Sequence, residues 1–346
     1  MSTTTPQSAR TTGSGGQIAR RVVAAAVLSA AIASLLLAVP SFQGVGTQIA
    51  HMHVAWVVAA VGLEFGSCVG FVVIFRLFFD ELPAGAAREL AWAEEGSGAL
   101  LPGGGVGALA IGGWMLHQMG MSTRQIIHRS GALFFLTSAI NVIALAGAGA
   151  GALLAAHITS GPHDLVRTGI PIFSALSATT AVLVISILVR RSPARGWRAW
   201  LVALAAGVDG ARHSLRRPSW RLLGALSYLA CDIAALGATL AAAGRPLPVA
   251  PLILGYLIGY LANLVPAPGG FGVLEGGLAG ALIAYGAPAT QAAAAVVVYH
   301  AISFWIPSLG GLAGYALLRA RLRNAPEADT PQHARPCPPL PAPEPA

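Results

Sequence analysis

The chain contains no lysine: all 21 of its basic residues are arginine. A P-loop needs its lysine and a Schiff-base enzyme needs an amine, so both chemistries are excluded. Charge of either sign is scarce. Only 10% of the 346 residues are charged, against roughly 25% in an average soluble domain. A soluble protein so poor in charge cannot cover its own surface, and composition excludes that class. Cysteine is scarce as well. Cys68, Cys231 and Cys337 are too scattered for a disulfide framework or a zinc site. No H-E-x-x-H or G-x-S-x-G run occurs. His157, His163 and Asp164 share a loop at a spacing that fits no compact metal site. No metal and no cofactor is expected.

What is present is apolar length. Hydrophobic residues make up 55% of the chain, and several runs reach the ~20 residues that a spanning helix needs. The runs are 22–40, 53–79, 106–118, 130–156, 168–189, 222–243, 249–265, 272–285 and 289–318. The expectation is an all-α, polytopic integral membrane protein with its membrane domain at 20–323. Residues 1–19 and 324–346, Ser/Thr/Gly-rich and Pro-rich respectively, are expected to be disordered cytoplasmic tails. Residues 195–217 alternate Trp197, Trp200, Leu201 and Leu204 with Arg195, Arg198, Asp209 and Arg212. That pattern predicts an amphipathic helix lying on the membrane surface.

The formal net charge of +8 reads as arginine at the cytoplasmic edges, not as a nucleic-acid footprint. Arg20 and Arg21, Arg76 and Arg88, Arg124 and Arg129, the block from Arg190 to Arg221, and Arg319 to Arg323 all orient their ends inward. Both termini are therefore expected inside a bacterial cytoplasmic membrane. Segments 249–265 and 272–285 must then begin and end outside. Each is short for a bilayer core of ~30 Å at 1.5 Å per residue. A Pro-Ala-Pro-Gly-Gly break joins them. They read as a re-entrant or broken-helix hairpin, tolerated only where protein or a water-filled cavity surrounds it.

Pro102-Gly103-Gly104 and Pro268-Gly269-Gly270 are 166 positions apart, and the same shift pairs Gly120 with Gly286 and Gln125 with Gln291. In both places the break precedes a short apolar segment, a Gly, a polar turn and a long helix. The arginine pattern gives the two copies opposite orientations. Two inverted hairpin repeats of this kind point to a transporter with a site near the midplane.

Glu275 follows the second break directly. A carboxylate at membrane depth is costly, so it is a functional candidate; as a residue near a helix start it is equally a cap. Gly269 and Gly270 leave backbone N–H groups open to an anion. His300, beside Tyr299, can titrate or bind a headgroup, or simply pack. Tyr256, Tyr260 and Asn263 share one face of 249–265 and either line a polar path or anchor the interface. Glu64, Arg76, His117 and Asp232 are the remaining polar residues in or near apolar runs, and Asp232 has no cation nearby in sequence.

From Tyr228 to Arg323 the chain resembles the transmembrane region of lysylphosphatidylglycerol synthases, the flippase-like domain family. The resemblance rests on three stretches: Pro268-Gly269-Gly270-Phe271-Gly272-Val273-Leu274-Glu275, Gly286-Ala287-Pro288 and Tyr299-His300-Ala301-Ile302-Ser303-Phe304-Trp305-Ile306-Pro307. More weakly it extends back to about residue 50. His300 stands where the family pattern has Arg, and Gly105 to Ile111 lacks the charged residues usual after the first Pro-Gly. The resemblance implies handling of membrane lipids, anionic headgroups among them. No aminoacyl-transferase domain is expected. The function expected is translocation of a lipid or amphipathic molecule by a non-enzyme, with Gly269, Gly270, Glu275, Tyr299, His300, Asn263 and Tyr260 binding it. The alternative is a non-transporting scaffold or accessory subunit for an envelope-enzyme partner; an intramembrane enzyme using Glu275 and His300 is a third class. No nucleotide site exists to drive pumping, so a gradient or a partner would have to.

Overall fold

In the computed structural model, residues 40–101, 105–159, 219–264 and 272–324 are described. The expected first span, the 168–189 span, the amphipathic 195–217 segment and both tails lie outside the described residues, apart from position 40 and the last helical residue, Asn324. Every regular element among the described residues is helical. In chain order these are α1 (Pro40–Ala50), α2 (Val54–Phe78), α3 (Ala84–Leu100), α4 (Gly105–Gln118), α5 (Thr123–Thr159), α6 (Leu223–Ala242), α7 (Val249–Tyr260), α8 (Val273–Ala284) and α9 (Ala289–Asn324). A 3-10 turn, Trp220–Leu222, leads into α6, and another, Leu261–Leu264, follows α7. Four stretches are long and apolar enough to cross a membrane: Val54–Phe78, Thr123–Ala152, Trp220–Ala242 and Ala289–Asn324.

Two elements differ from the expectation. α3 was not among the apolar runs, because Arg88, Glu89, Glu94 and Glu95 lower its hydropathy. It nonetheless packs along the length of α9. α9 itself continues through Pro307 to Asn324 as one 36-residue helix, six residues past the apolar run, so Arg319, Arg321 and Arg323 ride on its last turns.

Small residues set the packing, as membrane helices require when lipid offers no hydrophobic drive for association. α2 runs antiparallel to α6, with the His53 N–H donating to Ala242 O at 3.1 Å at one end. A Cβ on Gly70 would lie 2.7 Å from the Tyr228 nitrogen. α3 runs antiparallel to α9 in the same manner, Gly96 against Gly311. The buried side chains fall into two groups, one chiefly among α6 to α9 and α1, joined by Ala60 of α2, and one chiefly among α2 to α5, joined by Ala225 of α6 and Leu318 of α9.

α2 is built inside out relative to a soluble helix. Val54, Val58, Val61, Phe65 and Val69 are exposed, while Glu64, Ser67 and Cys68 are buried. The apolar face suits lipid and the polar groups are kept for the interior.

The described arginines other than Arg245 gather at one end of the bundle. Arg129 donates to Phe78 O at 3.0 Å and pairs with Asp80 and Glu81. Arg221 donates to Arg76 O at 2.9 Å. Arg321 forks onto Glu89 at 2.9 and 2.7 Å. At the opposite end the Gln48 side chain holds Ala243 O, beside the left-handed Gly244.

Candidate functional site

α8 begins immediately after Gly272, whose φ of +82° turns the chain into the helix; a residue without a Cβ accepts that conformation at least cost. Glu275 therefore sits three residues into the helix. Its Oε2 accepts the Gly272 N–H at 2.5 Å, satisfying one of the orphan donors of the helix start. Its Oε1 lies 2.6 Å from His300 Nδ1. One oxygen caps the helix start and the other pairs with His300, so the cap does not use up the carboxylate. The His300 side chain is 6% exposed and that of Glu275 23%, so the pair is reached through the carboxylate. α8 and α9 pack directly, and the turn at Gly286, φ +100°, folds one onto the other.

Tyr299 is adjacent to His300 and therefore about 100° away around α9. It points into a second polar group. Its hydroxyl donates to Asp232 Oδ1 at 2.5 Å, and the Tyr256 hydroxyl donates to Asp232 Oδ2 at 2.5 Å. The two rings meet edge to face at 6.4 Å, and Tyr256 stacks on Tyr260 at 5.2 Å. Tyr299 is 1% exposed. Asp232, which has no cation near it in sequence, thus takes two phenols from α7 and α9. Glu64 of α2 lies within hydrogen-bonding reach of the same carboxyl.

The candidates from sequence are therefore divided. Glu275 and His300 form one pair. Tyr299 belongs to the Asp232 group, and Tyr260 stacks at its edge, partly exposed. Asn263 lies in the Leu261–Leu264 turn; its side chain, Gly269 and Gly270 lie outside the described residues. Sequence reasoning did not join Asp232 to Glu64, Tyr256 and Tyr299, since they come from four helices. It did not reach Glu94 or Glu95 of α3 at all. The signals that mark α3 are Pro83, placed directly before the first helical residue, and an Ala-rich, proline-free run.

One further feature lies on the outer surface. A cavity of about 410 Å³ between α1, α2 and α9 is lined by apolar side chains, among them Ile49, Val61, Val298, Ile302, Trp305 and Ile306. Among the described residues no group of three or more His, Cys, Asp or Glu is arranged to hold a metal ion.

Residues 22–311 match the family described as the lysylphosphatidylglycerol synthase TM region. No curated protein matches the chain.

Proposed function

The chain belongs to the lysylphosphatidylglycerol synthase TM region family, and on that premise we propose that it moves a lipid or similar amphipathic molecule between the leaflets of the cytoplasmic membrane. The observation that carries the reading is the Glu275–His300 pair, 2.6 Å apart at the start of a helix too short to span. A carboxylate and a base at such a place, partly open, can exchange their mutual contact for a zwitterionic or anionic headgroup. Gly269, Gly270, Asn263 and Tyr260 complete the expected binding set in this reading. The apolar cavity along α9 suits an acyl chain, since it offers no polar wall.

In the same reading the helices form an inverted repeat. Shifted by 166 residues, the start of α2 falls on Trp220, α3 on α7, the end of α4 on the end of α8, and the start of α5 on the start of α9. Gly120 and Gly286, both with positive φ, correspond. The packing follows the same exchange: α3 packs on α9 as α7 does on α5, and α3 on α4 as α7 does on α8. α2 lies antiparallel against its own counterpart α6, as copies inverted in a membrane must. Paired broken helices around such an axis are the architecture of alternating access. In this orientation the arginine-rich end faces the cytoplasm, with both termini inside.

The test is purified protein in liposomes carrying a fluorescent phospholipid, with leaflet exchange read by quenching from outside. Exchange is expected in wild type and absent in a folded Glu275→Gln variant, because Gln keeps the shape and can still accept the Gly272 N–H but loses the charge. Exchange by that variant at the wild-type rate refutes the role of the pair. Wild-type protein that is folded yet moves no phospholipid favours the accessory-subunit reading.

A further inference from the structure

We infer that Glu64 and Asp232, with Glu95 beside them, form a proton-binding site inside the membrane domain, and that this proton is the ion coupled to lipid movement. The coupling rests on the lipid-moving reading above; the proton site does not. An ionised carboxylate only accepts hydrogen bonds. Both oxygens of Asp232 already accept, from Tyr256 and Tyr299, and two donors stabilise the ionised form, so we assign the charge to Asp232. The carboxyl of Glu64 reaches the same group, and two carboxyls can join there only if one carries a proton. Glu64 is that carrier. It is 5% exposed, and its Oε2 has no hydrogen-bond partner among the described residues; neither has the buried Oε2 of Glu95. Two buried carboxyl oxygens without a donor are costly in a low-dielectric interior, and a proton on each carboxyl removes most of that cost.

The surroundings offer no other compensation. The titratable groups facing Glu64 and Asp232 are Glu95 on α3 and Cys68 on α2, with Tyr228 of α6, Tyr256 and Tyr260 of α7 and Tyr299 of α9 around them. Glu94 of α3 stands next to Glu95 and faces it. None of these is a cation. The chain has no lysine, and the described arginines other than Arg245 lie at one end of the bundle, at or near the helix ends there. The same residues do not form a metal-holding group, which favours H⁺ over a metal ion. The position suits coupling. Asp232 ties α6 to α7 and α9, and Glu64 brings in α2, so releasing the proton places two adjacent negative charges between helices from both halves. Tyr299 neighbours His300 on the same helix and links this group to the Glu275 pair.

The experiment has two readouts. The first is pH-difference infrared spectroscopy of the whole protein in lipid. Wild type is expected to show protonated-carboxyl C=O absorption at neutral pH, and the Glu64 component of it is expected to be lost in Glu64→Gln while that of Glu95 remains. No such band in wild type, or a band unchanged in a folded Glu64→Gln variant, overturns the site. The second is leaflet distribution in liposomes under an imposed pH gradient with the membrane potential clamped. One coupled proton per lipid should bias the distribution about tenfold for a gradient of about one pH unit, since that gradient is worth ~1.4 kcal/mol. Glu64→Gln is expected to lose the bias. Lipid movement by wild type with no bias, or with a bias set by sodium instead, overturns the coupling. A normal infrared band with no lipid movement under any gradient upholds the proton site and refutes the lipid-moving reading.

Discussion

The two polar groups inside the membrane domain are built on opposite principles. Glu275 faces a base, accepts a backbone N–H and keeps part of its surface open. Asp232 faces another acid, accepts two tyrosine hydroxyls and lies among buried side chains of four helices. The first is a local device: a residue and its helix start, plus one partner on the next helix. The second exists only when α2, α6, α7 and α9 are assembled. Their chemistry differs accordingly. A pair of opposite sign can open to admit a charged ligand and reclose, while a pair of like sign can only gain or lose a proton.

The largest effect that separates them is on stability. Asp232→Ala leaves the Tyr256 and Tyr299 hydroxyls buried without their acceptor, at about 1–3 kcal/mol each. The sum, about 2–6 kcal/mol, should appear as a marked fall in unfolding temperature in detergent. Asp232→Asn keeps an acceptor for one phenol and should lose about half as much. If Asp232→Ala is as stable as wild type, the hydroxyls find water or other acceptors and the group is not a dry junction.

An intermediate effect is expected at the other pair. His300→Ala takes the base from Glu275 but leaves its Gly272 N–H, so the stability loss should stay near the lower end of about 1–3 kcal/mol. Lipid exchange should be lost with it. His300→Arg carries a permanent charge where histidine is charged only when protonated, and it restores the residue of the family pattern. Exchange should survive in this variant, with a pH profile still set by Glu64 and Asp232. Comparing the exchange rate with pH in His300→Arg and Glu64→Gln therefore assigns each part of the profile. Identical profiles in both variants would collapse the distinction between the groups.

The contrast also marks what a sequence can and cannot reveal. The Glu275–His300 pair was legible, because a Pro-Gly-Gly break, a carboxylate after it and a short turn into the next helix leave few places for Glu275 to go. The long apolar helices were legible from length alone. α3 was not, because a hydropathy reading discards a helix with three glutamates, although in this fold those glutamates are sheltered by α9 and by neighbouring helices. The Asp232 group was invisible for a different reason. Residues 64, 232, 256 and 299 share no spacing, and the first two meet where α2 packs along α6, with Gly66 against Cys231 and Gly70 against Tyr228. Asp232 standing without a cation was the one available sign, and it signalled an acidic partner as readily as a basic one.

The smallest effect is expected where the ion pairs look most conventional. Arg321 forks onto Glu89 between the end of α9 and the start of α3, but its side chain is 50% exposed. Water screens such a pair, and exposed pairs are typically worth about 0–1 kcal/mol. Arg321→Ala should therefore leave unfolding temperature and lipid exchange almost unchanged, although the bond is bidentate and spans 232 positions of sequence. What the residue does supply in the proposed orientation is positive charge on the cytoplasmic side. That role is shared with Arg319 and Arg323, so it should emerge only when all three are replaced by Ala. A cysteine placed at Asp80 should label from the cytoplasm in wild type, and the triple replacement should make a measurable fraction label from outside. A large loss of stability in Arg321→Ala alone would mean that this end of the bundle is drier than its exposure indicates, and that the difference between the interior pairs and the arginine-rich end is one of degree only.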